Sequence, residues 1–378
     1  MNKKYPILFF STADWDSAYK TNKHYVAEEL SKRGFKVIFF ESFGIRKPGI
    51  LNKKDIKRGL LRILRFNKKK KINKNLTVVS ILTIPFWRSQ FVKKFNFKII
   101  KKMIKNLKLN FKNYSVWSYH PFIPDDIVIA SKKTVYHSVD DLSLVRGVDK
   151  NNFNKQEKNF VNNTDYIFAT SRKLLAKYSN SKCFFLPNVI NKEIIDVKKN
   201  KKIFKNINKP IVGFFGNLTE TKIDYKLLEY TIKNLNNLFF VFIGDENGNE
   251  NNKNLEKLKQ FKNTLFVGRK DHFETIKIAN NFNVGLIPFL VNNYTNNIFP
   301  MKYYEYIASG ARVISTKLDF TKFVSKKFLK IANNKEQFVK FIKVQSQKQN
   351  IKKNVIKSFL NEHTYSARTK KMLEICKK

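Results

Sequence analysis

Cysteine is nearly absent: Cys183 and Cys376 are the two in a chain of 378 residues. A pair cannot build a disulfide framework or a metal cluster. No apolar run approaches the length that crosses a bilayer. The apolar part of the opening MNKKYPILFFSTADWD is too short for a secretory signal. These absences point to a cytoplasmic protein, soluble or attached peripherally to a membrane. The first predicted strand is not followed by G-x-G-x-x-G, so NAD is not expected. Arginine is scarce, and no helix-turn-helix, zinc-finger or RNA-recognition pattern is present. Both facts argue against nucleic acid despite a net charge of +46. The positive excess is nearly all lysine and comes with many Asn, Ile and Phe, as an A/T-rich coding sequence would produce. Attraction to an anionic membrane surface is still expected.

Apolar material is plentiful. Hydrophobic residues make up 42%, with 36 Phe and 15 Tyr, enough for two cores. The length also exceeds what one core usually organises, so two domains are expected. Pro6–Ser11 reads as a strand, then the loop TADWD, a helix from about Ala18 to Arg33 and a strand Phe35–Glu41. That is a Rossmann-like opening. Asp14, Trp15 and Asp16 stand at the carboxyl end of the first strand, where substrates bind in such sheets. They face an acceptor or form an ordinary turn. Lys53–Lys74 clusters Ile56, Leu60, Leu61, Ile63 and Leu64 in a basic surround, as an interfacial helix does. Lys93–Lys108 repeats the pattern, and there packing on the sheet is the favoured reading. Val116–Tyr119 is a strand ending at His120, a residue suited to bond a sugar hydroxyl or to sit half buried in a loop. Thr134–Asp141 ends in Asp140 and Asp141, which point to opposite faces and so are not a catalytic pair. Asp165–Thr170 and Phe184–Asn188 close this half.

Residues 190–209, rich in Lys and Asn, read as an interdomain linker. Pro210–Gly216 opens the second half, and its closing glycine lets a ligand approach the backbone. Phe239–Gly244 and Thr264–Gly268 are further buried strands. The stretch Phe282–Thr316 organises this half: strand Val284–Pro288, a polar loop, a helix in FPMKYYEYIASG, and strand Arg312–Thr316. Pro300 suits the first helical position and Gly310 the residue past the helix end. The N–H groups of Met301 and Lys302, with the Lys302 charge, suit an anion. Glu305, one turn on, suits a ribose diol. A surface helix with solvated Lys and Glu fits the same spacing. Lys322–Lys353 reads as helical and basic, and Val355–Lys378 as a final helix.

P-x-K-x-x-E-Y-x-A-x-G followed by V-I-S-T resembles the donor-binding motif of GT-B glycosyltransferases of the retaining family-4 type. VYHSVDD, DYIFATS and LPN, in that order, with the opening DWD and the YHP step, resemble a bacterial teichuronic-acid and cell-surface-polysaccharide subgroup. The resemblance spans nearly the whole chain. It implies two Rossmann-like doubly wound domains facing across a cleft, residues 1–189 for the acceptor and 210–354 for the donor. Residues 355–378 would cross back to the first domain. It implies that Glu305 binds the ribose, that the helix start at Pro300 and Met301 holds the diphosphate, and that His120 lies near the anomeric carbon. Lys222 would grip the diphosphate, and Arg269 would lie along the base. The family's diphosphate-binding Arg and its donor-sugar Glu are replaced here by Asn217 and Asn297.

The reaction expected is transfer of a sugar from a UDP- or GDP-sugar to a surface polysaccharide or lipid-linked glycan precursor. His120, Lys222 and Lys302 are the catalytic candidates. No Asp-x-Asp motif is convincingly placed at a strand end, so no metal or other cofactor is expected. The Asn217 and Asn297 replacements leave open a catalytically inactive, membrane-associated binding protein. A nucleic-acid-binding protein is the third reading.

Overall fold

Runs such as ILFF, VIFF and FFVFI are apolar on both faces, as strands are when helices cover both sides of a parallel sheet. The computed structural model describes all residues except 18–19, 43, 46–67, 86, 108–112, 146, 179–181, 201, 245–251 and 378. The chain divides into two compact units, Met1–Pro187 with Thr369–Lys378, and Asn188–Arg368.

The first unit is built on strands β1 (Ile7–Phe10), β2 (Val37–Phe40), β3 (Lys69–Asn73), β4 (Leu76–Val79), β5 (Ser115–Ser118), β6 (Thr134–Ser138), β7 (Tyr166–Ala169) and β8 (Cys183–Phe185). They lie in the order β3-β4-β2-β1-β5-β6-β7-β8. All pairs are parallel except β3 with β4. The second unit carries β9 (Ile211–Phe215), β10 (Phe239–Ile243), β11 (Thr264–Gly268), β12 (Val284–Ile287), β13 (Arg312–Thr316) and β14 (Leu329–Ala332). Their order is β11-β10-β9-β12-β13-β14, parallel throughout. Each sheet reverses its order of connection once, between β1 and β5 and between β9 and β12. Ligands of doubly wound sheets bind beyond the carboxyl ends of the strands at such a point.

Several expectations change. Residues 190–209 are part of the second unit, and Ile190, Ile194, Ile195 and Phe204 are buried in its core. The Ile190 N–H donates to the His363 carbonyl (2.9 Å), and the Tyr365 N–H to the Ile190 carbonyl (3.0 Å). Of the basic segment Lys53–Lys74, residues 53–67 lie outside the described residues, and its end is strand β3, held antiparallel to β4. The stretch Lys322–Lys353 holds strand β14 before its helix Lys335–Ser346. The final helix is two, Lys353–Leu360 and Tyr365–Ile375.

Candidate functional site

Gly216 directly follows strand β9, and its φ of +121° belongs to the region that glycine alone adopts freely. The loop that follows is stapled to the loop after β12. Asp224 N–H donates to the Pro288 carbonyl (2.9 Å), Leu290 N–H to the Lys222 carbonyl (2.8 Å), and Ile223 bridges Phe289. These bonds fix the backbone of Lys222 beside the switch point. Its ammonium lies 5.4 Å from the centre of the Tyr294 ring.

The helix after β12 runs Lys302–Ala308. It ends in a Schellman turn, with Gly310 N–H on Ile307 O (3.0 Å), Ala311 N–H on Tyr306 O (2.9 Å) and φ +85° at Gly310. Tyr306 anchors it. Its hydroxyl accepts from Phe215 N–H (3.3 Å) and donates to Leu286 O (3.0 Å), so one side chain ties the helix to β9 and β12. The Tyr306 ring occupies the space a β-carbon on Gly285 would need. Met301 Sδ accepts from the Tyr365 hydroxyl (3.4 Å), and Pro300 is buried. Pro300 and Met301 lead into the helix, with Met301 as its N-cap residue, and the Tyr303 and Tyr304 N–H groups donate to their carbonyls (3.3 and 3.0 Å).

With the helix pinned, Lys302 extends under the end of β9. Its nitrogen lies 5.6 Å and 5.9 Å from the ring centres of Phe214 and Phe215. Burial, reinforced by the Lys222 charge, lowers its pKa to about 8 against the opposing pull of Glu305. Glu305 is buried on the next turn, and its Oε1 lies 2.9 Å from His272 Nε2. His272 opens the helix His272–Ala279, whose N-cap Asp271 accepts from Glu274 N–H at 2.9 Å. Burial pulls the His272 pKa down, but the Glu305 bond and charge, helped by Asp271, hold it above 6.5. Lys222, Lys302, Glu305 and Gly216 are thus brought to one place. This spot can neutralise an anion and present a fixed carboxylate to hydroxyl groups.

Asn217 and Arg269 are exposed. Asn297 is buried and turned into its own loop, donating to the Asn293 carbonyl (2.6 Å). In the first unit, the Trp15 ring is buried edge-on to Phe39 (5.0 Å), and the Trp15 backbone N–H donates to Glu41 Oε1 (2.8 Å). Asp16 pairs with Lys70 (2.7 Å), and the Asp14 carbonyl meets His24 Nε2 (3.0 Å). The Asp14–Asp16 loop therefore has the contacts of an ordinary turn. His120 is fully buried, its Nδ1 accepting from Phe122 N–H (3.2 Å), and burial drops its pKa to about 3. Burial thus favours the neutral ring, which keeps one N–H. Asp141 holds its neighbouring loop, accepting from Ser143 N–H (3.2 Å) and Lys177 Nζ (3.1 Å).

Sequence reasoning missed His272 and Tyr306. Tyr306 sat in plain view in the helix motif but read as filler. His272 carried no signal, because its partner is 33 residues away.

No family model matches the chain. A Bacillus subtilis (strain 168) protein named, provisionally, as the teichuronic acid biosynthesis glycosyltransferase TuaH is 22% identical over 169 residues. That match spans 44% of this chain and 42% of that protein, so less than half of either. Anabaena HepE, solved with UDP and glucose, superposes over 99% of both chains with a TM-score of 0.65 at 11% identity. The lipopolysaccharide outer core galactosyltransferase WaaB superposes over 98% of this chain and 99% of its own, with a TM-score of 0.62 at 11% identity. Sheet order, switch points and these whole-chain superpositions agree: the chain has the fold of the GT-B glycosyltransferases.

Proposed function

We propose that the chain transfers a sugar from a nucleotide-sugar donor to a cell-surface polysaccharide or its lipid-linked precursor, working at the inner face of the cytoplasmic membrane. The observation that carries this reading is the convergence of Lys302, Lys222 and Glu305 at the switch point of the second sheet. Two ammonium groups match a diphosphate, and a buried carboxylate matches the ribose diol. UDP is the favoured nucleotide, because HepE, of the same fold, was solved with it. As the glycosidic bond breaks, negative charge gathers on the leaving diphosphate. Ammonium groups already fixed there stabilise that charge without reorganising. The lysines supply the positive charge in this reading, and no metal is invoked.

The inward-turned Asn297 and exposed Asn217 favour one second reading, a binding protein that has lost turnover. A single experiment separates them. Purified protein is melted with UDP-, GDP-, ADP- and TDP-sugars beside Glu305→Ala and Lys302→Ala. A ligand at a hundred times its dissociation constant adds about 2.7 kcal/mol of stability. A melting shift with UDP-sugars, lost in both variants and joined by UDP release, supports transfer. A shift without release supports the binding protein, and no shift with any donor overturns both.

A further inference from the structure

The helix Gln90–Asn106 was expected to bury its apolar side on the sheet, and it does so only in part. Asn96, Ile100, Met103 and Ile104 face inward. Asn96 locks the helix in rotation, accepting from Ile84 N–H (2.9 Å) and donating to the Ile84 carbonyl (2.8 Å). Ser89 caps the start, its oxygen accepting from Val92 N–H (3.4 Å). The face so left outward holds Phe91, 80% exposed, and Phe95, 45% exposed, one turn apart. Lys94, Lys98, Lys101, Lys102 and Lys105 are exposed around and beyond them. The helix contains no acidic residue. Lys101 pairs with Asp126 (2.7 Å); the other four make no ion pair among the described residues.

We propose that this helix is the protein's docking element for an anionic lipid bilayer, with Phe91 and Phe95 entering the headgroup layer and Lys94, Lys98, Lys102 and Lys105 meeting lipid phosphates. An aromatic ring held four-fifths in water gains free energy only from a partner with an apolar phase. The lysines require that partner to be anionic. An acidic polysaccharide supplies the charge without the apolar phase. A single-stranded nucleic acid is bound in a groove that tracks its backbone, and one helix face provides none. The proposal names the membrane contact of the function above, and it stands or falls without donor or acceptor present.

The test is flotation of the full chain with vesicles of phosphatidylglycerol and phosphatidylcholine, against phosphatidylcholine alone. Phe91→Ser/Phe95→Ser and Lys98→Gln/Lys102→Gln replace exposed side chains, so both keep the wild-type melting temperature. The wild type floats with the anionic vesicles. Each lysine removed lowers partitioning about fivefold, and the double serine variant lowers it more than tenfold. Phe91→Trp shifts its fluorescence to the blue on binding. Flotation undiminished in both variants, or equal on neutral vesicles, overturns the proposal. So does a concentration-dependent dimer or a complex with single-stranded DNA that the serine variant abolishes while vesicle binding persists.

Discussion

A β-carbon on Gly216 would stand 2.6 Å from the ammonium nitrogen of Lys302, so the bare backbone at the end of β9 is the surface along which that lysine lies. Gly216→Ala then has two effects. The tip of Lys302 can swing aside, and in doing so it leaves the anion site. The backbone at φ +121° cannot accept a side chain without strain of about 1–3 kcal/mol. The variant should melt several degrees lower and bind UDP at least tenfold more weakly in a calorimetric titration. Gly244→Ala is the harsher control, since its β-carbon would meet the Gly216 carbonyl oxygen at 1.9 Å. An alanine at 216 that melts and binds like glycine contradicts this account.

Lys302 should make diphosphate binding depend on pH. In the free chain burial puts its pKa near 8, below the ordinary 10.5. A bound anion favours the charged form, so affinity for UDP is full below about 8 and falls as pH rises past it. The free chain behaves oppositely. Between about 8 and 10.5 the unfolded state holds the proton that the folded state has lost, so this site adds stability as pH rises. Lys302→Met should bind weakly and show neither dependence. Titrations of UDP and denaturant melts across that window read both slopes, and a wild-type affinity that stays level there removes Lys302 from the anion site.

The His272–Glu305 pair has the other sign. A histidine whose folded pKa stands above 6.5 contributes stability that is complete below 6.5 and is lost as pH rises through the folded value. His272→Gln should therefore be less stable than wild type in acid, by about 2 kcal/mol for a bond to a charged partner, and the gap should close in base. Donor KM should rise more than kcat falls, because glutamine still offers a donor but holds Glu305 less firmly. Urea melts on both sides of the window, with steady-state kinetics, decide it. A gap that does not change with pH means the pair is not ionised as described.

Much of this site could be read from spacing. Pro300, Lys302 and Glu305 announced a helix start with charge and carboxylate one turn apart, and Arg312–Thr316 is a strand as expected. Gly216 was singled out for close approach, though the visitor turned out to be a side chain of the protein itself. What escaped depends on contacts between distant segments. His272 and Glu305 are 33 residues apart in the chain and meet only once the second unit is folded. Ile190, Ile194, Ile195 and Phe204 were hidden by the Lys and Asn between them, so a core segment read as linker. Strand β3, KKKIN, offers no apolar face, and its pairing with β4 is all that makes it a strand. Phe95 read as core material because composition cannot say which side of a helix is left uncovered.

The bonds between Ile190 and the His363–Tyr365 turn bring the entry and exit of residues 188–368 to one spot. In threading terms the second unit is a guest, one unbroken segment set into a host that resumes at Thr369. Such a guest comes out as a single cassette, with its two loose ends already side by side and needing only a short tie. Recombination can therefore exchange the second unit of a chain like this without unravelling the first.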